Sequence, residues 1–199
     1  MSDKPPETDE EMAAAHVSGT ATLHNDTIRL APYDPSWPAQ YQAEVAKIRA
    51  ALGARAIVLE HVGSTSLPGM AAKPIIDIVL GVADSTDEAA YVPALTAQGY
   101  RLHLREPDWH EHRLMKGADP VVNLHVFTAG DHEIERMVVF RDRCRGHPED
   151  LALYLAAKRE LAARTWRYVQ HYANAKAEVV EAIIARALAE RPSPAPAGR

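Results

Sequence analysis

The residues whose types and spacing could do chemistry are concentrated in one stretch, 60–80. Gly63 and Ser64 follow an apolar, β-branched segment, and Thr65 and Ser66 continue the turn. A glycine followed by small hydroxyl residues lets backbone N–H groups and side-chain hydroxyls approach an anionic oxygen without steric obstruction. The pattern predicts a phosphate-binding turn, and the alternative without a ligand is a tight turn that caps a helix.

Two charged residues follow this turn. Lys73 lies just before the apolar run Ile75–Leu80 and would add a point charge to the same anion. Asp77 interrupts that run, where a carboxylate is costly unless it is paired or bound to a metal. We therefore expect Asp77 to act at the site, and a buried ion pair with Lys73 is the structural alternative.

Side-chain alternation along the strands limits which residues can join Asp77 in a metal site. In the segment 121–127, alternation directs His125 to the face opposite the three most apolar positions, toward the expected site. Glu60 and His61 end the strand before the turn and lie on opposite faces. Asp77, His125 and one of Glu60 or His61 would bind a single Mg²⁺ or Mn²⁺, with Zn²⁺ as the nitrogen-preferring alternative.

A second group of charged residues lies toward the C-terminus. Between positions 136 and 176, nine Lys or Arg residues face four acids, although the whole chain has a formal net charge of -5. Two Tyr-x-x-x-Lys spacings place a ring and an ammonium one helical turn apart, where they would stack a base or sugar and hold a triphosphate: Tyr154–Lys158 and Tyr172–Lys176. We expect Arg141 and Lys158 to contact phosphates, and a solvated helix face is the alternative.

The elements that must position these residues alternate in hydrophobic period along the chain. Short β-branched or alternating segments predict strands at Ala56–Val62, Ile75–Leu80, Tyr100–Leu104, His112–Lys116 and Val121–Phe127. Apolar stripes predict helices over Tyr41–Leu52, Thr86–Gln98, Glu133–Arg145, Leu151–Leu161 and Thr165–Leu188. We expect an α+β fold, with a mixed β-sheet flanked by helices and a C-terminal helical section.

The two ends of the chain differ in composition from this domain. Residues 1–27 are acidic and show little periodicity, and residues 191–199 contain three prolines. Such segments bury too little apolar surface to offset ordering entropy, so we expect disordered tails on either side of one domain at 28–190.

Composition excludes several classes of protein. The chain has 199 residues, 47% of them hydrophobic, and a single cysteine, so neither an internal disulfide nor a thiolate metal site is available. No apolar run is long enough to cross a membrane and there is no basic leader, so we expect a cytoplasmic protein without a membrane partner. The acidic balance disfavours nucleic acid as a partner. The sequence gives no oligomeric state.

Several motifs together resemble the GrpB family. The run His61–Gly69 and the run Ala72–Asp77 carry the resemblance. It extends to matching segments over most of the domain: 32–37, 123–126, 140–142 and 154–158. The GrpB family is placed in the nucleotidyltransferase superfamily, so the resemblance implies a nucleotidyltransferase-like fold.

The resemblance also implies roles for individual residues. In that superfamily a Gly-Ser turn holds nucleotide phosphates, and a later strand carries an Asp-apolar-acid pattern that binds divalent metal together with a third acid. Gly63 and Ser64 match the turn, and Asp77 matches the first acid. Val79 stands where the second acid belongs, and this departure argues against the usual two-metal route.

The function expected from these features is nucleotidyl transfer. The chain would bind a nucleoside triphosphate as substrate and a divalent metal as cofactor, and transfer a nucleotidyl group to an unknown small acceptor. Asp77, Lys73 and His125 would be the catalytic residues, with metal and Lys73 stabilising charge on the phosphates. The alternatives are a catalytically degenerate nucleotide- or anion-binding module, and a different metal-assisted reaction with His125 or His61 as ligand or base.

Overall fold

The computed structural model of the protein describes residues 8–19 and 23–190, and within them a five-stranded mixed sheet. The strands are β1 (Val58–Val62), β2 (Ile76–Val82), β3 (Arg101–Glu106), β4 (His112–Gly117) and β5 (Val122–Thr128). Their spatial order is β1-β2-β5-β4-β3, with β2 and β5 parallel and the other neighbours antiparallel. The α+β prediction is confirmed, and each predicted strand is present.

Helices flank this sheet. They are α1 (Asp9–Ala15), α2 (Trp37–Leu52), α3 (Val92–Thr96), α4 (His132–Gly146), α5 (Pro148–Ala162), α6 (Val169–Asn174) and α7 (Ala177–Ala189). Helix α2 ends where predicted, at Gly53, whose φ of 56° suits a glycine C-cap. No helix in the described ranges is long and apolar enough to span a membrane.

Two predicted helices are interrupted. The segment 86–98 forms a 3₁₀ turn and then the short α3. The break comes at Tyr91, whose φ of -136° is not helical and which directly precedes Val92–Pro93 at the start of α3. The segment 165–188 divides into α6 and α7. Its first residues are extended because the Trp166 N–H donates to the Asp26 carbonyl, which pairs this segment with the N-terminal region.

Part of the acidic N-terminal segment is structured. We expected residues 1–27 to be a tail, but Asp9–Ala15 form α1, whose N-terminus has a reciprocal capping box between Thr8 and Glu11. Met12 is the buried residue of this helix, and the Val17 N–H donates to the His103 carbonyl of β3. Asp9 also pairs with Arg167, so an apolar contact, a backbone hydrogen bond and an ion pair dock this segment. The predicted tail at 191–199 lies outside the described residues.

The two faces of the sheet pack against different helices. Ile76, Ile78 and Leu80 share a core with residues of α2 and α3. On the opposite face, Val79 packs in a second cluster with Val62, Phe127, Ile134 and Met137, the last two from α4. The alternation predicted for β2 is therefore present, and Asp77 lies on the α4 side, toward the C-terminal helices.

A buried ion-pair network joins those helices. Asp150, at the start of α5, accepts hydrogen bonds from Arg143 Nε of α4 at 2.6 Å and from Arg186 Nε of α7 at 2.9 Å. Asp150 and Arg143 are both buried. Because a buried charge that loses its partner is strongly destabilising, this network fixes α5 and α7 relative to α4.

Removing the central carboxylate tests this role. We expect Asp150→Asn to lower the free energy of unfolding by about 2 kcal/mol, since it removes the anion that Arg143 and Arg186 share and leaves Arg143 with Glu190 alone. The control is Glu149→Gln, because Glu149 is the adjacent, exposed acid and its loss should cost about 0.5 kcal/mol or less. Equal effects of the two substitutions in urea unfolding would contradict the assignment.

Candidate functional site

The predicted turn lies directly against Asp77. Gly63 has φ 68° and ψ -171° and leads into a 3₁₀ turn at Ser64–Ser66. A Cβ atom at Gly63 would lie 2.3 Å from Asp77 Oδ2, so only glycine fits. Ser66 Oγ donates to the Gly63 carbonyl at 2.7 Å, and Arg145 Nη2 donates to the Ser66 carbonyl at 2.9 Å. These bonds fix the turn beside the carboxylate.

Asp77 is held by the neighbouring strand. Asn123 of β5, directly opposite in the register, donates its Nδ2 to Asp77 Oδ1 at 2.9 Å. His125 Nε2 lies 3.9 Å from the same oxygen. Burial raises the pKa of Asp77, but His125, Asn123 and the charge on Lys73 together hold it below the ordinary 3.8. The group is therefore a carboxylate at neutral pH.

Four of the six lysines in the chain surround this carboxylate. We call them the lysine cluster: Lys73, Lys116, Lys158 and Lys176. Each interacts electrostatically with Asp77, and none forms an ion pair with an acid in 8–19 or 23–190. Lys73 lies just before β2, Lys116 on β4, Lys158 on α5 and Lys176 just before α7.

Lys158 connects the cluster to the turn. Its Nζ donates to Ser64 Oγ at 2.7 Å and to the Ala71 carbonyl at 3.0 Å. Burial lowers the pKa of Lys158 to about 8, an effect that Asp77 opposes and Lys73 reinforces. The predicted residues Ser64, Lys73, Asp77 and Lys158 thus come together in space.

Lys176 is the most buried cation of the cluster. Its residue is 6% exposed, and its Nζ lies 4.3 Å from the centre of the Tyr172 ring. Burial, followed by the charges of Lys158 and Lys73, lowers the pKa of Lys176 well below 10.5. Several ammonium groups therefore interact with the charge of a single carboxylate, that of Asp77. Such an excess of positive charge is costly, and it is relieved either by loss of protons, as the lowered pKa values indicate, or by a bound anion.

A line of polar contacts crosses the sheet to His125. Glu106 Oε2 lies 2.5 Å from His112 Nδ1, and His112 Nε2 lies 3.1 Å from His125 Nδ1. If both rings are neutral and the carboxylate accepts from His112 Nδ1, then His112 Nε2 accepts from His125 Nδ1. His125 Nε2 then faces Asp77 with a lone pair that can bind a cation, and the ring lowers the pKa of Asp77 only when Nε2 carries a proton.

The other predicted residues are occupied elsewhere. Arg141 Nη1 donates to Glu60 Oε2 at 2.6 Å and to the His61 carbonyl, and its Nε donates to Asp142. The charge of Arg141 is thus compensated, and the residue is outside the lysine cluster.

His61 lies on the face of β1 opposite to that of Glu60, and it supports the turn. Its Nε2 is 3.1 Å from Thr65 Oγ1, which itself donates to the Ile75 carbonyl at 2.9 Å. The ring stacks on Tyr41, and burial lowers the pKa of His61 to about 4. Thr65 and His61 therefore tie the turn to β2.

The predicted metal ligands do not assemble as a set of three. Among the described residues, the clusters of three metal-binding side chains found within 4.8 Å of one another do not include Asp77. Of the predicted set, only Asp77 and His125 are neighbours. Val79 is fully buried between Val62 and Phe127, so this position lies in an apolar core rather than at a metal.

The tyrosines cannot stack a base as predicted. Tyr154 and Tyr172 are 0% and 1% exposed, and each ring carries its own lysine ammonium.

Sequence reasoning also missed Asn123, Lys116 and His112 as neighbours of the site. The strand alternation that selected His125 was also the available signal for Asn123. Lys116 and His112 come near the site only because β4 neighbours β5, which the sequence does not show.

A cleft of about 530 Å³ lies beyond the turn. Tyr33, Tyr41, Glu60 and Arg145 are among its lining residues. Asp77 and the lysine cluster do not line it, but the predicted residues Glu60, His61, Ser66 and Arg141 do, so the cleft adjoins the turn.

Substitution of Gly63 tests the contact with Asp77. Gly69 provides a matched control because its φ of 76° is similarly positive but nothing lies within 4 Å of an added Cβ. We expect Gly69→Ala to cost about 1 kcal/mol of folding stability, and Gly63→Ala to cost about 2–4 kcal/mol because it also displaces Asp77. Equal costs in chemical denaturation would contradict the close contact.

Comparison with known proteins gives consistent matches. The GrpB protein family model matches residues 27–186. A UPF0157 protein of Halalkalibacterium halodurans is 52% identical over 186 residues, covering 94% of this chain and 95% of that protein. The crystal structure of the conserved protein GrpB from Enterococcus faecalis has a TM-score of 0.71 and 26% identity, covering 81% of this chain and 98% of that one.

A longer relative contains a similar region. A dephospho-CoA kinase of Mycolicibacterium paratuberculosis is 33% identical over 189 residues, which cover 81% of this chain but 46% of that protein. The family match spans most of the domain that carries Gly63, Asp77 and the lysine cluster. By that match and the 52% identity to a UPF0157 protein, this chain belongs to the GrpB family.

Proposed function

We propose that this chain binds a nucleoside triphosphate through its phosphates, at the lysine cluster and the Gly63–Ser64 turn. The observation that carries the proposal is the distribution of charge: four of six lysines surround one carboxylate, and Lys176 is buried without an acidic partner in the described ranges. A polyphosphate supplies several negative charges in a compact volume, so it compensates the cluster better than a monovalent anion.

The turn supports the same ligand class. Ser64 Oγ already accepts a hydrogen bond from Lys158, so the hydroxyl and the ammonium are oriented before any ligand arrives. A preorganised pair loses little entropy on binding. Asp77 would orient the lysines and limit the charge excess, and Asn123 would fix Asp77.

Nucleotidyl transfer is the second candidate, favoured by the pair Asp77 and His125. Their facing atoms are 3.9 Å apart, and one divalent cation between them would be completed by phosphate oxygens. An acceptor hydroxyl would lose its proton to solvent, and its oxygen would attack the α-phosphorus. The bond between that phosphorus and the bridging oxygen would break, and pyrophosphate would leave. The buried Val79 disfavours a second metal, so the proposal rests on binding rather than on turnover.

Calorimetry with defined ligands tests the binding proposal. We would titrate ATP, GTP, CTP, UTP, pyrophosphate and phosphate into the protein, with EDTA or with Mg²⁺, Mn²⁺ or Zn²⁺. We expect at least one triphosphate to bind, and Lys158→Met to weaken it about 10- to 100-fold through the lost charge-assisted hydrogen bonds. Arg164→Met is the control because Arg164 is exposed and paired with the exposed Glu160.

Each outcome of that titration is informative. No binding by any triphosphate, or equal affinity in Lys158→Met and in the control variant, would overturn the proposal. Binding in EDTA that survives Asp77→Asn supports a phosphate-binding module, whereas metal-dependent binding with pyrophosphate release supports the transfer reaction.

Lys176→Met should change stability and binding in opposite directions. Methionine is similar in length and removes a buried ammonium that lacks a counter-charge, so we expect the ligand-free protein to gain about 1 kcal/mol of folding stability. The same variant should bind triphosphate at least about tenfold more weakly. Paired urea unfolding and calorimetry measure both. A loss of stability with unchanged affinity would mean that Lys176 has only a structural role.

The low pKa of Lys158 predicts a pH dependence. Its pKa of about 8 in the folded protein lies below the ordinary 10.5, so the unfolded chain binds more protons between those values. This group therefore makes ligand-free stability rise as pH increases from 8 to 10.5. Triphosphate affinity should fall over the same range, because the ammonium is lost. Melting temperatures with and without ATP should converge as pH rises. A constant ATP-induced shift would contradict this prediction.

A further inference from the structure

Three potential metal ligands meet away from Asp77, where the β3–β4 connection contacts the start of α4. His110 Nδ1 lies 3.0 Å from Asp131 Oδ1 and 3.2 Å from Oδ2. His132 Nδ1 lies 3.9 Å from Asp131 Oδ1. One ligand atom from each of the three side chains lies within 4.8 Å of the others.

The fold holds two of these ligands in place before any metal binds. Asp131 is the N-cap of α4, and its Oδ1 accepts the Glu133 N–H at 2.8 Å. The His110 side chain is 14% exposed, and its backbone has φ 53°. Trp109, immediately before it, packs edge-on against Phe127 at 5.7 Å between ring centres. His132 is 62% exposed and can move to complete the set.

The spacing suits a tetrahedral ion. Ligands about 2.0–2.1 Å from a tetrahedral metal lie roughly 3.3 Å from one another, and the 3.0 Å and 3.9 Å separations bracket that value. Two imidazoles and one carboxylate are ligands that Zn²⁺ accepts. From this geometry we propose that His110, Asp131 and His132 form a Zn²⁺ site that ties the β3–β4 connection to α4, with a fourth position open to water.

The chemistry of the site sets its expected strength. A helix N-terminus carries a partial positive charge that opposes a cation, and only one of the three ligands is anionic. We therefore expect a dissociation constant on the order of micromolar rather than nanomolar. The other cluster of this kind, His147, Glu149 and Asp150, is a poorer candidate because Arg143 and Arg186 already bind the two oxygens of Asp150.

Metal titration of the full chain without an added histidine tag tests the site. We expect one Zn²⁺ per chain by calorimetry, and Co²⁺ as a spectroscopic probe should give the intense visible bands of tetrahedral coordination. His132→Ala should weaken Zn²⁺ binding at least tenfold. Asp131→Asn should do the same while keeping the helix cap, because Asn is as good an N-cap as Asp. His147→Ala is the control and should leave the affinity within twofold.

Two further outcomes would overturn the inference. The first is the absence of saturable 1:1 binding at Zn²⁺ concentrations up to about a hundred times the expected micromolar dissociation constant. The second is binding that is unchanged in His110→Ala and His132→Ala but lost in His125→Ala, which would place the metal at Asp77. Circular dichroism of each variant, measured beforehand, separates lost ligation from lost folding.

Discussion

The architecture of the site depends on one electrostatic constraint: several ammonium groups are held close to a single carboxylate in a poorly solvated region. Asp77 alone cannot neutralise the lysine cluster, so Lys158 on α5 and Lys176 just before α7 must be held over the sheet against their mutual repulsion. The buried network around Asp150 supplies that restraint by joining α4, α5 and α7. The C-terminal helical section is therefore part of the site.

Much of this arrangement could be predicted from local sequence. The β-branched runs and side-chain alternation identified the strands and placed Asp77 and His125 on one face, and the Gly63–Ser64 turn was evident from residue type. What local patterns could not give was the spatial order of the strands and helices. Lys116 and Lys176 reach Asp77 only because β4 neighbours β5 and because the predicted helix 165–188 is interrupted just before α7.

Residue type alone was also a poor guide to which cations are available to a ligand. Arg141 lies in a matching family motif, yet Glu60 and Asp142 neutralise it, whereas Lys176 was noted only for its spacing from Tyr172. The difference lies in the partners: a cation with an acid beside it is neutralised within the fold, whereas a buried lysine without one has a lowered pKa and gains from a bound anion. Val79 likewise packs in an apolar cluster, so β2 carries no second acid beside Asp77.

The most direct test of this account is the ionisation of Lys176, followed by NMR of protein labelled at lysine Cε and Nζ and assigned with single Lys→Met variants. The account predicts that Lys176 titrates well below the ordinary 10.5 in the ligand-free protein, and that saturating ATP raises its pKa as the phosphates supply the missing charge. A ligand-free pKa near 10.5 that ATP leaves unchanged would contradict the claim that this cluster is built around an absent anion.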